Sequence, residues 1–92
     1  MTALSEANVK RMMEAASTDG SSWADAVRER LRTEGRRVTG MWPGTFSEAR
    51  VRAGRLLASE LGQPAPREVR EQVARELYAA ARQDWREHNE PE

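Results

Sequence analysis

The chain has 92 residues, 15 of them basic and 15 acidic, with 38% hydrophobic and 33% charged residues and no cysteine. That length fits one small domain with a thin core made of helix faces. The missing cysteines exclude a disulfide framework and a thiolate metal site. No apolar run approaches the ~18 residues of a membrane span, and no signal-peptide pattern opens the chain, so the expected location is cytoplasmic.

A first helix is expected from about Glu6 to Ser17. Ser5 is a favourable N-cap, Leu4 and Val9 have the spacing of a hydrophobic staple, and Val9, Met12, Met13 and Ala16 form one stripe at i, i+3, i+4, i+7. Asp19-Gly20-Ser21-Ser22 reads as a stop and restart. A second helix follows from about Trp23 to Glu34, with Ser22 and Asp25 at capping-box spacing, Trp23, Val27 and Leu31 as its buried edge, and Gly35 as its end. Residues 36–45 break the helical pattern and read as an extended linker or a short strand, with Met41 and Trp42 expected to fold back onto the helices. A third helix is expected from about Phe46 to Leu61. Thr45 and Glu48 stand at capping-box spacing, and Phe46, Ala49, Ala53, Leu56 and Leu57 form its core stripe. Gly54, unfavourable in a helix by about 1 kcal/mol against Ala, would let another helix approach, and Gly62 is the stop. After a rigid Gln63–Pro66 connector, a fourth helix runs from about Pro66 to Glu87. Val69, Val73, Leu77 and Ala80 make one of its faces, widened by Ala74, Tyr78, Ala81 and Trp85. The tail from His88 should fray.

The chain also repeats itself. Residues 4–34 align with 46–76 without a gap, with 11 identities in 31 positions. Ser5-Glu6-Ala7 falls on Ser47-Glu48-Ala49, Ala16-Ser17 on Ala58-Ser59, Gly20 on Gly62, and Val27-Arg28-Glu29 on Val69-Arg70-Glu71. Such a period predicts one supersecondary unit used twice. The expected fold is therefore all-α: a single domain over residues 1–92, with repeat 1 at 4–34, a linker at 36–45 and repeat 2 at 46–87. Its four helices form two tandem hairpins related by a pseudo-twofold. The face of the fourth helix is wider than one hairpin partner covers, which predicts a homodimer through Leu77, Tyr78, Ala81 and Trp85.

Little in the chain supports catalysis. His88 is the sole histidine, the Ser and Thr residues are accounted for as caps and turns, and no phosphate-cradle or metal-ligand spacing occurs. The expectation is a protein that is not an enzyme and needs no cofactor or metal. The hairpins say more. In each, an Ala precedes a Gly by four residues and a Val follows the Gly by seven: Ala16, Gly20, Val27 and Ala58, Gly62, Val69. A small residue, a turn glycine and a buried β-branched anchor make the skeleton of a DNA-binding helix-turn-helix. A plain αα-hairpin shows much the same pattern, and both readings stay open.

Val51 followed by Leu57-Ala58-Ser59-Glu60-Leu61-Gly62-Gln63-Pro64-Ala65-Pro66-Arg67-Glu68-Val69-Arg70-Glu71 resembles the N-terminal DNA-binding region of KfrA-type plasmid proteins. There a helix ends in Gly, a Pro follows, and Val-Arg-Glu opens the next helix. Residues 9–30 repeat the pattern with Val9, Gly20 and Val27-Arg28-Glu29. The likeness covers about 25 residues per copy; the family's Gly-Ser-Thr-rich stretch and coiled-coil tail have no counterpart in these 92 residues. The resemblance implies helix-turn-helix binding of double-stranded DNA by a small bacterial, plasmid or phage regulator of transcription.

Charge supports a nucleic-acid contact in the middle of the chain. Residues 28–55 carry eight arginines against three glutamates, a net +5 between acidic ends of −2 (1–27) and −3 (56–92). Arg28, Arg36, Arg37, Arg50, Arg52, Arg55, Arg67 and Arg70 are the candidate contacts. Arg67 and Arg70 stand at the start of the last helix, where a recognition helix meets base edges, with Arg28 the counterpart of Arg70. The others would grip phosphates. The competing class is a protein-binding adaptor or inhibitor of phage or mobile-element origin. Global neutrality favours it, and Trp42, with Trp23 and Trp85, would supply its hot spots.

Overall fold

The computed structural model describes residues 5–62 and 65–88, and these form three helices: α1 (Glu6–Thr33), α2 (Phe46–Leu61) and α3 (Arg67–Glu87). The four-helix expectation is corrected at Gly20. The chain does not turn there, and residues expected to form two helices make one of 28 residues. The apolar stripe explains why. Met12, Ala16, Gly20, Trp23, Ala24 and Val27 keep one unbroken helical period across Asp19–Ser22, and all but half-buried Val27 are buried. Breaking the helix would throw the two halves of that stripe out of phase. A mid-helix glycine costs about 1 kcal/mol against Ala, and Asp or Ser less, which is small beside several buried side chains at about 1.5–3 kcal/mol each.

Gly20 has a different use. A Cβ placed on it would collide with the carbonyl oxygen of Leu77 and lie 2.9 Å from Ala80 Cβ, so the absent side chain lets α3 sit directly on α1. Ala16 and Ala24 on α1, and Ala74 and Ala81 on α3, are also fully buried and keep the helices close. The glycine aligned with it, Gly62, does turn the chain. It caps α2 in the left-handed region at φ +68°, its N–H donating to Ala58 O at 2.8 Å. The 42-residue repeat is thus a repeat of sequence without a repeat of structure, and the expected pseudo-twofold is absent: the described residues 5–34 contain no hairpin to superpose.

Local signals at the helix ends hold where the described residues include them. Ser5 Oγ accepts from Asn8 N–H at 3.2 Å. Thr45 and Glu48 form a reciprocal capping box, Glu48 N–H donating to Thr45 Oγ1 and Thr45 N–H to Glu48 Oε1. Gly35, at φ +74°, closes α1 in a Schellman arrangement, with Arg36 N–H donating to Leu31 O and Gly35 N–H to Arg32 O. Ser22 is inside α1 and caps nothing. Gly54 faces open space, not a neighbouring helix. Leu4 of the expected staple, Gln63–Pro64 of the connector and the tail beyond His88 lie outside the described residues.

The helices run up, down, up. Gly20 packs on Leu77–Ala81 and Arg28 meets Asp84, so α1 and α3 are parallel. Arg50 meets Glu71 and Phe46 meets Tyr78, so α2 runs against α3. The body measures 49 × 19 × 17 Å, a rod set by α1. The α1–α2 connector closes one end. It has no strand, buries Val38 completely and inserts Trp42 between Trp23 of α1 and Trp85 of α3, edge-on at 4.8 and 5.4 Å. Trp85 Nε1 donates to Gly40 O at 3.1 Å. Trp42 folds back as expected; Met41 does not, and stands 88% exposed.

Candidate nucleic-acid interface

The arginines named from the sequence fall into four places. At the start of α3, Arg67 and Arg70 are exposed and share a surface depression of about 300 Å³ with Arg50 and Glu71. Arg50 crosses from α2, its Nε donating to Glu71, with a closest approach of 3.1 Å. Its guanidinium lies 4.8 Å from the centre of the Phe46 ring, and Phe46 in turn packs edge-on against Tyr78. The aromatic pair fixes Arg50 beside the turn. One carboxylate against three guanidiniums leaves this cluster cationic by two.

On the α1–α2 side, Arg30, Arg52 and Arg55, with Glu48 among them, surround a groove whose apolar lining is Trp23, Ala26, Val27 and Val51. Arg52 stacks over Trp23 at 4.8 Å and approaches Asp19 at 3.8 Å. Val51 is 55% exposed, an aliphatic side chain left bare in a cationic rim. Arg36 and Arg37 follow the end of α1, both exposed, with Arg36 in a loose ion pair to Glu34 at 3.6 Å.

Arg28 is elsewhere altogether. It is 4% exposed and bridges helices, Nη2 donating to Asp84 Oδ1 at 2.9 Å and to Asp84 O at 3.2 Å, and Nη1 donating to Asp25 at 3.0 Å. Its guanidinium also lies 5.6 Å from the centre of the Trp85 ring. With two carboxylates and a carbonyl already accepting from its Nη atoms, Arg28 ties α1 to α3; its Nε is buried without a partner. The sequence equivalence of Arg28 and Arg70 therefore separates into a buried strut and an exposed cation.

The residues expected to form a dimer face are largely internal. Leu77, Ala81 and Trp85 are buried in the protein's own core, Tyr78 is half-buried against Phe46, and Trp42 is half-buried between the other two tryptophans. The wide face of α3 is covered by α1 on one side and α2 on the other, because α1 is long enough to run along it. The patch that predicted association is not on the surface.

The outer face of α3, opposite the buried Val73–Ala74–Leu77–Ala81–Trp85 stripe, carries both signs: exposed Arg75, Arg82 and Arg86 alternate with exposed Glu68 and Glu87 and half-buried Glu76, and Gln83 Nε2 donates to Glu87 Oε1 at 3.0 Å.

No protein-family model, curated protein or solved structure matches the chain. Among the described residues there is no group of three or more His, Cys, Asp or Glu placed to hold a metal ion, and no helix is long and apolar enough to cross a membrane.

Proposed function

We propose that this protein is a small non-enzymatic regulator that binds double-stranded DNA in a sequence-dependent way through the α2–connector–α3 unit. The observation that carries the reading is the cluster of Arg50, Arg67 and Arg70 around the turn, three guanidiniums with only Glu71 to balance them. A second helix that begins after a left-handed glycine, with cations in its first turn, suits a backbone-and-groove contact. The likeness of residues 51–71 to KfrA-type proteins adds to the same reading. A mobility shift against pooled genomic fragments at low salt tests it. Binding should fall steeply with salt, with a slope of about −0.9 per phosphate contact. Absence of any shift at micromolar protein overturns the reading.

Exposed Val51 favours a second reading, a protein-binding adaptor. An apolar floor of Trp23, Ala26, Val27 and Val51, rimmed by Arg30, Arg52 and Arg55 against the single carboxylate of Glu48, suits an acidic amphipathic segment of another protein better than it suits bare phosphate. Loss of DNA binding in the shift assay, together with capture of a partner that Val51→Glu abolishes, would favour this reading.

A further inference from the structure

Helices α1 and α2 both lean on α3 and touch each other least of the three pairs. Between them runs the groove of about 500 Å³ whose apolar lining is Trp23, Ala26, Val27 and Val51. Val51 and Arg55, one turn apart, form its outer wall on α2. Val51 is 55% exposed, Ala26 is exposed and Val27 is half-buried, so three apolar side chains share one strip of surface. The other cationic depression, at Arg50, Arg67, Arg70 and Glu71, is lined by charged side chains. Bare apolar surface beside cations, and not the arginines alone, is what distinguishes the α1–α2 groove.

Charge says what fits there. Arg30, Arg52 and Arg55 face Glu48 in the groove and Asp19 in the depression that continues it toward Leu56, an excess of one cation. Arg52 covers Trp23, its guanidinium 4.8 Å from the ring centre, and its pairing with Asp19 is loose at 3.8 Å. A carboxylate arriving over the groove would take Arg52 from Asp19 and keep the stacking on Trp23. A second copy of the chain on the same face would set Arg30, Arg52 and Arg55 against themselves, because a twofold contact is self-matching. Phosphate would use the rim and leave the apolar floor in water. Length fits as well: α2 has 16 residues, about 24 Å, and so borders about four turns of a helix laid beside it.

Resting on the protein-binding reading, we infer that the α1–α2 groove is the docking site of an acidic amphipathic helix of another protein, seated as a fourth helix beside these three. Its apolar anchors, at i, i+3 or i+4 and i+7, lie on Trp23, Ala26, Val27 and Val51. Its Asp and Glu flanks meet Arg30, Arg52 and Arg55. These last two arginines, expected from the sequence to grip phosphates, serve the protein partner, while Arg50, on the α3 flank of the same helix, does not line the groove.

The test is selection by the full chain from a displayed library of amphipathic helices of about four turns, with Leu at the anchor positions and Glu, Gln or Lys at random on the flanks, followed by fluorescence anisotropy on the selected peptides. Acidic flanks should be enriched. Val51→Glu should weaken binding by about 30-fold, the effect of losing one hot spot. Arg55→Glu should weaken it by about 10-fold, and a peptide with one flanking Glu changed to Lys should recover affinity for Arg55→Glu only. Arg82→Glu, on the outer face of α3, should leave binding unchanged. Circular dichroism confirms folding, and the Arg55 charge exchange decides the matter if Val51→Glu does not fold. Enrichment of basic or neutral flanks overturns the assignment, as does equal weakening by Arg82→Glu, which would mean general charge attraction. Binders indifferent to Val51→Glu and Arg55→Glu overturn the groove and leave protein binding standing at another face. A library that returns no binder of any flank charge overturns the docking site, and partner capture then decides the protein-binding reading separately. Two other occupants would also overturn it: a second copy, seen as a two-chain mass in light scattering that Val51→Glu reduces to one, or duplex DNA, seen as a mobility shift that Val51→Glu abolishes.

Discussion

Two glycines inside helices are expected to respond oppositely to the same change. At Gly20 a methyl group meets the backbone of α3. Overpacking of this kind costs about 1–3 kcal/mol and outweighs the ~1 kcal/mol that Ala gains in a helix. Gly20→Ala should therefore lower the urea midpoint at unchanged slope. At Gly54 the added methyl meets open space, so Gly54→Ala should raise the midpoint by up to about 1 kcal/mol of stability. Equal effects at the two sites would contradict the close α1–α3 contact. Arg28 is the other decisive residue. Removing it leaves Asp84, which is only 19% exposed, with no cation nearer than the His88 ring at 3.6 Å. Arg28→Ala should cost about 3 kcal/mol, read from denaturant unfolding, and far exceed Arg36→Ala, whose ion pair is exposed and long. Neither role was legible in the sequence. Gly20 sits in a stop signal, and Arg28 looks like its exposed counterpart Arg70 until α3 is placed beside it.

At the scale of the element, helix ends were legible and helix count was not. Ser5, Thr45 with Glu48, Gly35 and Gly62 act as their residue types predict, because capping depends on atoms within a few residues. Gly62 at φ +68° is a position L side chains adopt at a cost of about 1–2 kcal/mol, so Gly62→Ala should destabilise by about that amount, again by urea titration. The merging of two expected helices into α1 has a nonlocal cause. Asp19–Ser22 would break a helix on its own, but their neighbours bury in one register against α3. A peptide of residues 5–34 alone should show little helix around Gly20 by NMR amide shifts, since the packing that holds it is missing. Full helicity there in isolation would mean that the stop signal was misjudged locally and was not overridden by packing.

The whole molecule buries on itself what the sequence suggested it shares with a second copy. Among the described residues, Met41 and Val51 are the large hydrophobics that stand exposed, and neither belongs to the α3 face expected to associate. Light scattering in the high micromolar range should therefore return a mass near the 10.4 kDa of one chain; a stable dimer would require a surface other than Leu77, Ala81 and Trp85. From its sequence alone this protein was determined to be all-α, capped where its caps stand, with α2 and α3 joined at Gly62 and an aromatic linker folded back through Trp42. These follow from short-range preferences and from apolar periodicity, which act before any long-range contact forms. Only the tertiary structure decided whether Gly20 turns or packs, whether Arg28 is a cation for a ligand or a strut for Asp84, and which side of α3 faces out. Each depends on what lies across from the residue, some fifty positions away along the chain, and identical residue types at aligned positions were sent to opposite environments by that neighbour.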